Sequence, residues 1–189
     1  MDRRRARGDG LSTARTEADA VEFLSGVYEG RTTGTAVTLM IRNLNTRSGD
    51  YAKTADLLRP GHADYTAYAK YEGYQDARGG GHFSGRITAA LVAGGAIVLG
   101  ALNRAGIDIT THIARCAGIS DMPFALDDAA ALAAQVSVLE SRDEGFALLD
   151  ASVEEAMKTA IRTAGSEGDS VGGILETAIL GLPAGVGEP

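Results

Sequence analysis

The sequence has no tryptophan, one cysteine and four prolines among its 189 residues. A lone Cys116 excludes an internal disulfide framework and fits a reducing compartment, so a cytoplasmic setting is expected. So little proline, with irregularly spaced glycine, excludes a collagen-like chain. No signal-peptide pattern is present, because the charged start MDRRRARGDG is not followed by an apolar segment. The three histidines form no His/Cys pair at ligand spacing, which argues against a zinc site. Nor is there a GxSxG elbow or a credible Cys/His pair to suggest hydrolysis on serine or cysteine.

Glycine is abundant instead, at 25 residues, and a hydrophobic content of 44% is too high for a disordered chain. The glycines are therefore expected at turns and close backbone approaches. A formal charge of −7 hides an asymmetry. Residues 1–86 carry 13 Lys/Arg against 11 Asp/Glu, whereas residues 87–189 carry 5 against 14. All six tyrosines fall between Tyr28 and Tyr74, within the first 86 residues that also carry eleven of the fifteen arginines. A nucleic-acid binder spreads positive charge over a whole face, and this chain does not. Local cationic pockets for a small anionic ligand fit the pattern better.

Along the chain, residues 21–28 and 35–42 read as strands, with Gly30 and Thr32–Gly34 as the turn of a hairpin. Residues 43–83 show little periodicity, and so long an irregular stretch inside a domain points to function. The uncharged run ITAALVAGGAIVLGALN falls short of the roughly 20 apolar residues that span a bilayer. It is expected to be a buried helix packed against a sheet. Residues 107–116 alternate as a strand, 128–135 have helical composition, and 151–164 read as a helix stopped by Gly165. Residues 171–182 form a last strand. This alternation implies an α+β or layered α/β fold, without repeats or an interdomain linker. Both ends of the sequence read as cut.

Two segments carry candidate chemistry. In RGGGHFSGR at 78–86, three glycines admit a ligand to the backbone, Ser84 is placed to cap a helix, and arginines flank the loop. It is neither a P-loop, since Arg86–Ile87 replaces Lys–Ser/Thr, nor a dinucleotide GxGxxG, since Ser84 replaces the last glycine. The plain alternative is a loop that only turns the chain into a helix. In RPGHADY at 59–65, His62 follows a Pro–Gly turn where an imidazole can act as a general acid, and Asp64 either orients it or caps the next turn. His112 reads as a strand histidine. Arg3, Arg4, Arg5, Arg42 and Arg47 would suit a polyanionic substrate if they converge.

Read together, these segments resemble chorismate synthase. The matches are EFLSGVYEG at 22–30 with TTGT at 32–35, RN at 42–43 with RSGDY at 47–51, RPGHADYT at 59–66, RGGGHFSGR at 78–86, GDSVG at 168–172 and GLPAGVGEP at 181–189. They follow the family's order over nearly the whole chain. The resemblance implies a β-α-β-α sandwich, with residues 1–189 one part of a single domain truncated at both ends. It also implies a carbon–oxygen lyase that converts 5-enolpyruvylshikimate-3-phosphate to chorismate and phosphate, in the last step of the shikimate pathway. The implied cofactor is reduced FMN, with NADPH as a source of reducing equivalents. A homotetramer is implied at full length, without nucleic-acid or membrane partners.

By the same resemblance His62 is the catalytic histidine that keeps the flavin correctly protonated, and His82, Phe83 and Ser84 contact FMN. Arg4 contacts NADPH or substrate, while Arg47 and Arg86 hold substrate phosphate and carboxylates. The match departs from the family where Arg7 replaces a proline in Arg4–Arg5–Ala6–Arg7–Gly8. The family's GESHG-type histidine segment and C-terminal half have no counterpart here, so the 189-residue chain alone is expected to be inactive. The alternative is a non-catalytic remnant that binds FMN or a sugar phosphate, or a chain that needs a complementary piece to fold.

Overall fold

A computed structural model describes residues 1–5, 8–12, 18–43, 57–76 and 83–187. Its helices and strands are mixed, as an α+β class requires. The chain divides into two compact units, Met1–Arg5 with Thr16–Ala96 and Ala6–Arg15 with Ile97–Pro189.

In the first unit, β1 (Val21–Ser25) pairs antiparallel with β4 (Thr38–Ile41), and β2 (Val27–Tyr28) pairs with β3 (Arg31–Thr32). The expected hairpin is therefore present, but it turns earlier than its glycine and threonine content suggests. Glu29 and Gly30 both have positive φ, the backbone that a two-residue hairpin turn demands. Thr32 thus lies in a strand rather than in the turn. Gly26 has φ +78, and a methyl group there would sit 2.5 Å from the carbonyl oxygen of Ala36. This close approach reserves the position for glycine.

Within the stretch read as irregular, α1 (Asp64–Tyr71) is a regular helix. Its sequence, DYTAYAKY, has no apolar stripe, and Ala67 is its one buried residue, so periodicity could not reveal it. Ser84 caps the following helical segment as expected: its hydroxyl accepts from Arg86 N–H, and a 3₁₀ turn at Gly85–Ile87 runs directly into α2 (Thr88–Arg104).

The expectation that α2 is buried is overturned. Of its residues only Ala89 and Ala93 are buried, while Leu91 is 73% and Val98 57% exposed. With the preceding turn, Gly85–Arg104 is long and apolar enough to cross a membrane by length and composition alone. The boundary between the two compact units falls inside this helix.

The second unit is built on the strand order β6–β5–β7, all antiparallel: β5 (Asp108–Cys116), β6 (Ile119–Ser120) and β7 (Gly173–Leu180). Helices α3 (Ala129–Glu140) and α4 (Glu154–Ser166) complete it. Asp128 caps α3 by accepting from the amides of Ala130 and Ala131. Helix α4 does not stop at Gly165 but continues to Ser166, and Gly168, at φ +74, takes the left-handed position. Neighbouring strand residues point to opposite faces. Accordingly Ile113 packs with Cys116, Leu148 and Met157, while His112 faces Phe124, ring to ring at 4.6 Å. Phe124, Leu139 and Ala178 form the second cluster. Residues 146–149 serve both clusters in alternation, Phe146 and Leu148 in one, Ala147 and Leu149 in the other.

Candidate functional site

The residues singled out for chemistry form two constellations, both in the first unit. The first is centred on Asp19, immediately before β1. Asp19 has φ +47 and its side chain is 3% exposed. One carboxylate oxygen accepts from Arg4 Nη1 at 2.9 Å and the other from Arg86 Nη1. Arg4 also donates through Nη2 to Thr88 Oγ1 at 3.1 Å and to the carbonyl of Gly85 at 3.3 Å. Two residues 82 positions apart in sequence thus place their guanidiniums side by side at the start of α2. Two cations on one anion leave a net positive charge there, next to a helix N-terminus whose dipole has the same sign. Burial pushes the Asp19 carboxyl up, but the hydrogen bonds and charges of Arg86 and Arg4 outweigh it and hold the group below the usual carboxylate range.

The second constellation lies around the Pro60–Gly61 turn. Asp64, the first residue of α1, accepts from Arg59 Nε at 2.7 Å, from Arg59 N–H at 2.9 Å and from Arg59 Nη2 at 2.9 Å. His62 Nδ1 lies 2.7 Å from the other side of the same carboxylate, at Oδ1, and 3.2 Å from Arg59 Nη2. Nδ1 cannot both donate to the carboxylate and accept from the guanidinium. The shorter contact identifies it as a donor to Asp64, which leaves Nε2 as the nitrogen for proton exchange. Arg59, ahead of all other causes, holds the Asp64 carboxyl well below its usual range, so the acceptor stays ionised. Of the two roles open to Asp64 in the sequence, orientation of His62 is the one the geometry displays.

Phe83 connects the two regions of sequence. Its ring lies 6.4 Å from that of Tyr71 at the end of α1, and Ser84 follows as the cap. His82 and Arg47 lie outside the described residues, as do the glycines at 79–81. Arg42 pairs instead with Glu22 across the β1–β4 hairpin, at 2.6 Å. Arg5 pairs with Asp2. These two are surface pairs, not members of a converging cluster. Sequence reasoning missed Asp19, whose neighbours in sequence form no motif.

A family model described as chorismate synthase matches residues 1–189. The chorismate synthase of Sulfurimonas denitrificans is 43% identical over 189 residues, covering all of this chain and 49% of that protein. That of Aliarcobacter butzleri is likewise 43% identical over 189 residues, covering 49% of its length. That of Korarchaeum cryptofilum is 39% identical over 189 residues, covering 50%. Among solved structures, a crystal structure of chorismate synthase matches with a TM-score of 0.64 at 26% identity, over 87% of this chain and 46% of that one. The chain spans about half the length of the curated relatives it matches.

Proposed function

The chain belongs to the chorismate synthase family, and from that premise we propose that it supplies one part of the active site of a lyase that eliminates phosphate from 5-enolpyruvylshikimate-3-phosphate to give chorismate. The observation that carries this reading is the Arg4–Asp19–Arg86 cluster at the entry to α2. A substrate with a phosphate and two carboxylates needs fixed cationic donors, and paired guanidiniums bind such groups through planar, charge-assisted hydrogen bonds. Arg86 would hold substrate phosphate or carboxylate, and Arg4 would hold substrate or NADPH, with Arg47 joining them.

The same donor set would suit the phosphate of FMN, and Phe83, its ring 6.4 Å from that of Tyr71, supplies aromatic surface three residues before Arg86 in the sequence. His82, Phe83 and Ser84 would hold the flavin, which when bound in reduced form would supply electron density transiently to the substrate so that the C3 phosphate can leave. His62, oriented by Asp64, would hold or pass a proton at Nε2. At the substrate the C3–O bond breaks and a C6 proton is lost, so the overall change is a 1,4-elimination without net oxidation. Residues 1–189 would form one part of the family's β-α-β-α sandwich domain, in a cytoplasmic homotetramer without nucleic-acid or membrane partners. Helix α2 would then pack within that assembly rather than in a bilayer.

Because the chain spans about half of its relatives' length, we propose binding without turnover for these 189 residues alone. Isothermal titration of the purified chain with 5-enolpyruvylshikimate-3-phosphate and, separately, with FMN tests the reading. Saturable binding of the substrate that Arg86→Ala markedly weakens is expected, with no chorismate formed. Absence of any saturable substrate binding would refute the site, and chorismate formation by the chain alone would refute the proposed inactivity.

A further inference from the structure

Asp19 lies in neither candidate loop, yet both arginines at the start of α2 converge on it. Its carboxylate gives one oxygen to each guanidinium, so it spans the pair rather than closing a two-pronged bridge with one of them. It does so from a nearly inaccessible position, with its own backbone in the left-handed region. Asp and Asn occupy that region far more readily than most residues. A buried carboxylate shared between two arginines offsets the repulsion of two like charges held side by side and removes most of their rotamer freedom before any ligand arrives.

We propose that Asp19 is the positioning residue of the anion site, fixing Arg4 and Arg86 in one arrangement so that a ligand phosphate or carboxylate meets a preset pair of guanidiniums. This rests on the reading that Arg86 contacts the substrate. The role differs from that of an ordinary surface ion pair, which contributes little and orders nothing beyond itself. Arg4 reinforces the arrangement, because its second nitrogen is also tied to Thr88 Oγ1 and the Gly85 carbonyl. Asp19 thus joins residues 1–5, the segment entering β1 and the entry to α2 through a single side chain.

The test is a double-mutant cycle on the 189-residue chain, with 5-enolpyruvylshikimate-3-phosphate as the titrant and far-UV circular dichroism as the check on folding. Asp19→Asn keeps the shape and tolerates the same backbone while removing the charge. It is expected to weaken binding about tenfold or more, the weight of a lost charge-assisted hydrogen bond. In an Arg86→Ala background the same change is expected to weaken binding clearly less, since only Arg4 is then left to position. A merely structural Asp19 would weaken binding equally in both backgrounds, and that result overturns the inference, as does wild-type affinity in Asp19→Asn. If Arg86→Ala itself binds as the wild type does, the reading of Arg86 as a ligand contact fails and the positioning role falls with it. Should the Asn variant lose its circular dichroism signal, Asp19→Glu decides. Retained binding in the charge-bearing variant supports positioning, and a folded Glu variant as weak as Arg86→Ala overturns it.

Discussion

His112 is fully buried, with Nδ1 2.8 Å from Asp121 Oδ2 and Nε2 2.8 Å from Glu176 Oε2. One ring therefore ties β5 to β7 and to the segment after β6. Asp121 accepts further hydrogen bonds from the amides of Leu149 and Asp150. Burial raises its carboxyl, but those two amides and His112 outweigh the effect and hold it low, while His112 itself is the chief cause that lowers Glu176. His112→Leu would leave Asp121 buried without its imidazole and is expected to destabilise the chain by about 3 kcal/mol, measured by urea unfolding. An unchanged midpoint would show that the ring is only packed, not paired. The same carboxylates set the acid limit. Asp19, Asp121, Glu154 and Glu176 all have folded values below their unfolded ones. Their contribution is therefore complete above the ordinary carboxylate range and is lost as pH falls through the folded values. The urea midpoint should stay level from pH 7 to about 5 and drop below about pH 4. A midpoint that rises on acidification would contradict these ion pairs.

At the scale of elements, the hairpin of the first unit depends on Gly26, where φ is positive and the Ala36 carbonyl leaves no room for a methyl group. Gly26→Ala is expected to cost about 2 kcal/mol or more, because strain and a backbone clash add. Wild-type thermal stability in that variant would rule out the close approach. The elements that were legible in the sequence are those with a strong period or an explicit cap. Strand β5 alternates, β7 is β-branched and apolar, and Ser84 announces the helical segment it caps, whereas α3 is legible from its alanine-rich composition and not from its Asp128 cap. Helix α1 was illegible because its side chains face outward, and the end of α4 was misread because Gly165 is accommodated inside the helix. Of the candidate site, the loop around His62 was legible through its turn residues. The partnership of Arg4 with Arg86 was not, since it depends on a tertiary approach between distant segments and on a carboxylate that belongs to no motif.

For the molecule as a whole, the exposed apolar surface of α2 is its least ordinary property. Leu91 and Val98 stand seven residues apart, hence on one side of the helix, and both are mostly exposed. Leu91→Gln with Val98→Gln is expected to reduce self-association in sedimentation while shifting stability by no more than about 0.5 kcal/mol each. Unchanged sedimentation would remove α2 from the surfaces that associate. The pairing of β5 with β7 bears on how the chain emerges during synthesis. His112 and Glu176 are 64 residues apart, and at roughly 5–20 residues per second β5 waits several seconds on the ribosome before its main partner strand is made. During that interval Ile109 and Ile113 belong to a strand with an unmatched edge. A delay placed just before codon 173, by rare codons for example, would lengthen the exposure without altering a single native contact, and would be felt as lower soluble yield rather than as lower stability.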